Sequence, residues 1–245
     1  MDIIAIYSNK GGVGKTAAAV NLAYEASRSG MAVLLCDMDS QGAASYYFRV
    51  RPKKKFSDKK FLQGDINDFI RGTDFDGLDL LPALFSFRHL DLRLDKMEKR
   101  KNGSVFDTVF KTIAGEYDLV ILDCPPNPTL LTEHIVRTAD ILVTPVIPTT
   151  LSILALQQLL KLTVELKIGH RKIKAFFSMV ERRKNLHSAT IEQYKKYPVF
   201  MKTEIPFLAE VEKMGINRQP VGAAARNSAS ALAYERLWQE IWQRS

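Results

Sequence analysis

Asn9-Lys10-Gly11-Gly12-Val13-Gly14-Lys15-Thr16 sits between an apolar run, Ile3-Ile4-Ala5-Ile6-Tyr7, and an Ala-rich amphipathic run from Ala17 to Ser29. Strand, glycine loop and helix in that order are the context that a phosphate-binding loop requires. Glycines let the backbone curl until successive N–H groups point into one concavity. The N-terminus of the following helix adds its dipole to the same anion site. In that setting Lys15 supplies a cation to the β- and γ-phosphates of a nucleotide, and the Thr16 hydroxyl can ligate Mg²⁺.

The loop departs from the usual pattern twice. Asn9 stands where Gly is expected, and Asn tolerates positive φ better than other non-Gly residues. Lys10 adds a second lysine, which is more charge than one triphosphate pocket needs. One reading is that Lys10 serves a second nucleotide across a dimer interface.

Two acidic segments follow. An apolar run ends in Asp37-Met38-Asp39-Ser40-Gln41-Gly42. Carboxylates at the C-terminal end of a strand lie beside the ligand crevice of an open parallel sheet. Asp37 and Asp39 project to one side if the strand continues through them. Such a pair beside Mg²⁺ and a triphosphate can hold metal-bound water and position an attacking water. Further on, Leu119-Val120-Ile121-Leu122-Asp123 is followed by Cys124-Pro125-Pro126. The strand carries a carboxylate toward the Mg²⁺ shell, and the prolines stop it.

Lys-Gly-Gly-Val-Gly-Lys-Thr at 10–16 resembles the deviant Walker A motif of the ParA/MinD superfamily of P-loop ATPases. The resemblance spans nearly the whole chain, with its specific motifs in the first half. It implies ATP and Mg²⁺ as cofactors, bound at Lys10, Gly11, Gly12, Val13, Gly14, Lys15, Thr16 and Ala17. Lys10 then reaches the partner subunit's ATP, and Lys10, Lys15 and Asp39 carry the catalysis. Asp39 is the hydrolytic residue of an Asp-x-Asp-x-Gln switch, in which Ser40 and Ala43 depart from the commonest residues. Thr16, Asp37 and Asp123 form the metal set, Asp123 through water in an Asp-x-Pro-Pro segment. Ala17 replaces a frequent threonine and leaves only its N–H for the α-phosphate. Pro206 lies against adenine.

The same resemblance implies a slow, switch-like ATPase that forms a homodimer with ATP sandwiched between subunits. Such a dimer binds DNA without sequence preference and is released when a ParB-like or cargo-linked protein stimulates hydrolysis, so that a plasmid, chromosome or protein complex is partitioned or positioned. The alternatives are a MinD-like membrane-associated ATPase and a metallocentre-assembly or metabolic P-loop ATPase.

The rest of the sequence fits one α/β domain over residues 1–245. Strands are expected at 3–8, 32–37, 78–81, 119–123, 141–146, 174–180 and 202–205, and helices at 16–29, 151–167, 188–196 and 223–243. Continuous apolar strands separated by helices predict a mostly parallel twisted sheet covered on both faces. Hydrophobic residues make up 46% and charged residues 25%, ordinary for a soluble protein. No run reaches transmembrane length, and the N-terminus lacks a signal peptide's basic region. With no extra domain ahead of the first strand, a cytoplasmic, nucleoid-associated protein without operator binding is expected. Cys36 and Cys124 lack metal-site spacing and read as small buried hydrophobes. His89, His134, His170 and His187 are scattered and read as surface or structural groups.

The net charge of +8 favours a polyanionic partner, nucleic acid or an acidic membrane surface. Arg182, Arg183 and Lys184, with Arg171, Lys172, Lys195, Lys196 and Lys202 nearby in sequence, favour DNA and phosphate contacts. The segment 231–242 has apolar residues at helical spacing, and Leu237, Trp238 and Ile241 fit a core-packed helix better than a membrane tail. Membrane binding is therefore not expected. Residues 49–60 are too basic for core and read as a solvated loop or a contact surface. Residues 93–101 are a second candidate partner surface.

Overall fold

The computed structural model describes residues 1–98 and 105–243; the end of the candidate surface at 93–101 lies outside them. Eight strands form one sheet: β1 Asp2–Ile6, β2 Val33–Asp37, β3 Arg71–Gly72, β4 Leu78–Leu81, β5 Leu119–Asp123, β6 Ile141–Val146, β7 Ile173–Val180 and β8 Phe200–Pro206. Their order is β3-β4-β2-β5-β1-β6-β7-β8. Every pairing is parallel except β3 with β4. All seven anticipated strands are present. The eighth, β3, is a two-residue edge strand containing a glycine and carries no apolar pattern to reveal it.

The central strands are apolar throughout because each feeds two cores. Ile3, Ala5, Tyr7, Leu34, Cys36, Val120 and Leu122 pack on one face. Ile4, Ile6, Val33, Leu35, Leu119 and Ile121 pack on the other. This is the period-two alternation of a strand, with both sides buried. Helices Val105–Lys111, Leu130–Thr138 and Thr150–Glu165 cover the first face, and Lys15–Arg28 and Ala229–Trp242 the second.

The expected single helix at 223–243 is two, Val221–Ala224 and Ala229–Trp242. Ser228 explains the break: its hydroxyl accepts the Ala231 N–H at 3.2 Å and starts a new helix, as N-cap serines do. The second helix buries Leu237, Trp238 and Ile241. Its Glu240 carboxylate accepts the Lys202 and Thr203 N–H groups, both at 2.9 Å, tying the helix to the edge strand β8.

Candidate nucleotide site

β1 lies between β5 and β6, and the loop leaving its C-terminal end enters helix Lys15–Arg28. Gly12 and Gly14 have φ of 70° and 90°, the region that favours glycine. Gly14 is the N-cap and no side chain caps the helix, so first-turn amides remain free for an anion. Asn9 needs no positive φ, contrary to the reason expected for it, because the left-handed turns fall on Gly12 and Gly14. Its amide instead donates to Gln158 Oε1 at 2.7 Å and fastens the loop to helix Thr150–Glu165.

The two lysines part company. Lys15 is buried, and its Nζ donates to the Lys10 carbonyl at 3.2 Å. Burial lowers its pKa, opposed by Asp123, Cys124 and Asp39. Lys10 turns the other way and donates its Nζ to Ser152 Oγ at 2.9 Å.

β2 ends at Asp37, so Asp37 and Asp39 do not share a strand face as the sequence suggested. A turn follows, with Gly42 N donating to the Asp39 carbonyl at 2.9 Å and Gln41 N donating to Asp39 Oδ1 at 3.0 Å. Asp39 therefore stays partly exposed at the cavity wall, while Asp37 turns inward and is fully buried. Asp37 Oδ2 accepts both the N–H and the hydroxyl of Ser45 at 2.7 Å, and Ser45 Oγ accepts the Ala83 N–H at 3.0 Å. No sequence signal marked Ser45.

Asp123, also fully buried, is the register partner of Asp37 across β2 and β5. Asp37 Oδ1 and both oxygens of Asp123 have no hydrogen-bond partner among the described residues. Burial pushes Asp37 up to about 6. Burial and the Asp37 charge hold Asp123 well above the carboxylate range, and the Thr16 hydroxyl facing it works the other way without closing to a hydrogen bond. Orphaned buried carboxylate oxygens are costly unless a cation completes them. Beneath a hydroxyl and an anion-ready loop, this donor set fits a hydrated Mg²⁺.

A cavity of about 420 Å³ opens above these groups, a size suited to a small ligand. Gly11, Gly12, Gly14, Lys15, Thr16 and Ala17 form its polar end, and Asp39 and Pro126 its flank. Pro206 and Phe207 stand on the apolar wall. Tyr47 and Tyr234 also line it; neither stood out in the sequence, since a lone tyrosine carries no spacing signal. Val13 is buried beneath the loop.

The other anticipated residues lie elsewhere. Arg182, Arg183 and Lys184 are exposed after β7. Arg182 pairs with Glu204 at 2.7 Å and Lys184 with Glu181 at 2.5 Å; Arg183 has no ion-pair partner among the described residues. Both cysteines are buried, with thiol pKa values raised by burial. His187 is buried, and its Nδ1 accepts the Glu181 N–H at 3.1 Å. Among the described residues no group of His, Cys, Asp or Glu could hold a metal by itself, and no helix is long and apolar enough to cross a membrane.

A family model described as an AAA domain matches residues 1–175. The sporulation initiation inhibitor protein Soj of Bacillus subtilis is 30% identical over 98% of this chain and 97% of its own length. A ParA family protein of Mycoplasma genitalium is 28% identical over 96% of this chain and 88% of its own. The fold also matches cobyrinic acid a,c-diamide synthase from Mycobacterium smegmatis, solved with an ATP analogue and magnesium, with a TM-score of 0.82 and 23% identity over 99% of this chain and 94% of that one. That likeness is one of fold alone. The glycine loop, the paired buried carboxylates and the full-length match to Soj converge, and the chain belongs to the ParA/MinD superfamily of deviant Walker A P-loop ATPases.

Proposed function

We propose that this chain is an ATP-dependent dimerising ATPase that binds DNA without sequence preference and partitions or positions a cargo, hydrolysing ATP under stimulation by a ParB-like or cargo-linked protein. The observation that carries this reading is the divergence of the two loop lysines. Lys15 points into the cavity with Thr16, while Lys10 leaves it and rests on Ser152. A lysine of the phosphate loop that does not face its own cavity is available to a nucleotide held by a second copy.

The backbone amides of Gly11 to Ala17 and the Lys15 ammonium bind the phosphates, and Pro206 packs on the base. Thr16, Asp37 and Asp123 would hold Mg²⁺, whose charge would offset that developing on the transferring phosphoryl group. Asp39, partly exposed at the cavity flank, orients the attacking water. Lys10 from the second copy adds positive charge at the same phosphates. Orientation of the water by one carboxylate gives slow hydrolysis that an outside partner can accelerate. Arg182, Arg183 and Lys184 are proposed as phosphate contacts to DNA, with Arg183 the most available. On this reading the protein works in the cytoplasm on the nucleoid.

The buried apolar face of Ala229–Trp242 speaks against a membrane tail. The fold likeness to a diamide synthase leaves a metabolic role as the outcome to test against. Binding to mixed-sequence duplex DNA should be measured at low and moderate salt without nucleotide, with ADP, with ATP and with a slowly hydrolysed analogue. ATP-dependent, salt-sensitive binding that is lost in Lys10→Ala is the expected result. A wild-type protein that dimerises with ATP yet binds no duplex in any state overturns the DNA part of the reading.

A further inference from the structure

The basic segment that the nucleotide site leaves unused is residues 49–60. Its exposed side chains between 51 and 59 are Arg51, Pro52, Lys53, Lys54, Lys55 and Lys59. Lys53 donates to the Asp68 carbonyl at 2.5 Å. Arg51, Lys54, Lys55 and Lys59 have no ion-pair partner among the described residues. Asp58, the first acidic residue of the segment, is buried and bound to Arg93. At the two ends of the segment Arg49 pairs with Asp74 at 3.1 Å and Lys60 with Asp65 at 3.5 Å, so Arg51, Lys54, Lys55 and Lys59 between them stay without an ion pair among the described residues, against Arg183 alone in the other cluster.

The loop is anchored rather than loose. Phe56 is buried, stacks on Phe69 at 4.7 Å and meets Phe87 edge-on at 6.2 Å. Ser57 then caps helix Asp58–Leu62 by accepting the Lys60 N–H at 3.3 Å. With Phe56 turned inward the loop shows cations and one proline outward. Protein-binding surfaces centre on aromatic and apolar anchors and are poor in lysine. A lysine-rich rim without such an anchor suits phosphates.

The anchor also adjoins the hydrolytic segment. Phe87 lines a pocket of about 260 Å³ together with Asp39 and Pro126. On the other side, helix Ala43–Tyr47 leads into the loop and is held to Asp37 through Ser45. The basic loop is thus joined at its start to the Asp37 segment through Ser45, and its Phe56 touches Phe87, which shares a pocket with Asp39.

We infer that Arg51, Lys54, Lys55 and Lys59 form a phosphate-backbone contact surface for duplex nucleic acid, that this surface carries a larger share of the binding than Arg182, Arg183 and Lys184, and that the nucleotide state reaches it through Phe56 and Ser45. The inference rests on the DNA-binding reading above.

The test compares three full-length proteins in the slowly hydrolysed ATP analogue: wild type, a loop variant (Arg51→Gln, Lys54→Gln, Lys55→Gln, Lys59→Gln) and a variant with Arg182→Gln, Arg183→Gln and Lys184→Gln. The probes are mixed-sequence duplex DNA and polyglutamate. The loop variant should keep its melting temperature, nucleotide affinity and dimerisation. It should lose at least about tenfold in duplex affinity, and its log–log salt slope should shrink by about 3 to 4, with a smaller loss in the second variant. A loop variant that binds duplex like wild type overturns this inference and leaves the proposed function standing. One that loses only polyglutamate binding overturns it in favour of an acidic protein partner. A wild type that binds no duplex in any nucleotide state overturns the parent reading, and this inference with it.

Discussion

Asp37 and Asp123 stand side by side at the C-terminal ends of β2 and β5, fully buried, with three of their four carboxylate oxygens lacking any hydrogen bond among the described residues. Such a pair strains the nucleotide-free protein and prepares it for a cation. Asp37 has its folded pKa raised to about 6, and Asp123 shifts the same way. Between the unfolded and folded values the native state binds more protons, so stability falls as pH rises. The nucleotide-free protein should therefore melt higher at pH 5 than at pH 7.5, and Asp123→Asn should flatten that difference. The same variant should gain little or nothing from Mg²⁺-ATP, which stabilises wild type by mass action. Thermal melts across pH, with and without Mg²⁺-ATP, check both; full stabilisation of the variant by Mg²⁺-ATP would remove Asp123 from the metal set.

The lysines should separate in titration. Lys15 is buried against the cavity, so Lys15→Ala should weaken ATP binding by a single chain more than tenfold. Lys10 is held by Ser152, so Lys10→Ala should change single-chain affinity much less and act on ATP-dependent dimerisation. Nucleotide titration below the dimerisation concentration, followed by sedimentation, distinguishes the two. Equal losses of single-chain affinity would place Lys10 in its own subunit's pocket.

How far the sequence could be read follows from where each interaction reaches. Gly14, Lys15 and Thr16 act through backbone turns and one helix end, which are local and written in adjacent residues. Apolar runs such as 119–123 announce strands because both sheet faces are buried. Ser45 was invisible because its partners, Asp37 and Ala83, are brought to it by tertiary packing. The Arg182–Glu204 pair is hidden for the same reason, whereas Lys184–Glu181 lies within one turn of chain. The place of Asn9 in the motif implies a backbone role, yet its work is a side-chain bond to Gln158 on a distant helix.

Gly14 joins two constraints. Its φ is 90°, and a Cβ there would lie 3.1 Å from Ser178 Oγ. Gly14→Ala should destabilise the fold by about 1–3 kcal/mol and weaken nucleotide binding, because the loop amides lose their alignment. Denaturant unfolding together with nucleotide titration measures both. Unchanged ATP affinity would show that the left-handed turn at Gly14 is not needed to shape the anion site.

Ser45 offers the clearest separation of support from chemistry. Its hydroxyl donates to Asp37 Oδ2 and accepts the Ala83 N–H, and it does not line the cavity. Ser45→Ala removes one of the two hydrogen bonds holding the Asp37 charge and leaves a buried N–H unpaired. The expected cost is about 1–3 kcal/mol. Losing a bond that favours the charged form should also push the Asp37 pKa further up. Mg²⁺-dependent nucleotide binding should then weaken more at pH 6 than at pH 8, since a protonated carboxyl holds Mg²⁺ poorly. A purely structural serine would lower stability and leave the pH dependence of Mg²⁺-ATP binding unchanged. Isothermal titration of Mg²⁺-ATP at both pH values, in wild type and Ser45→Ala, separates a residue that tunes the metal carboxylate from one that only packs beneath it.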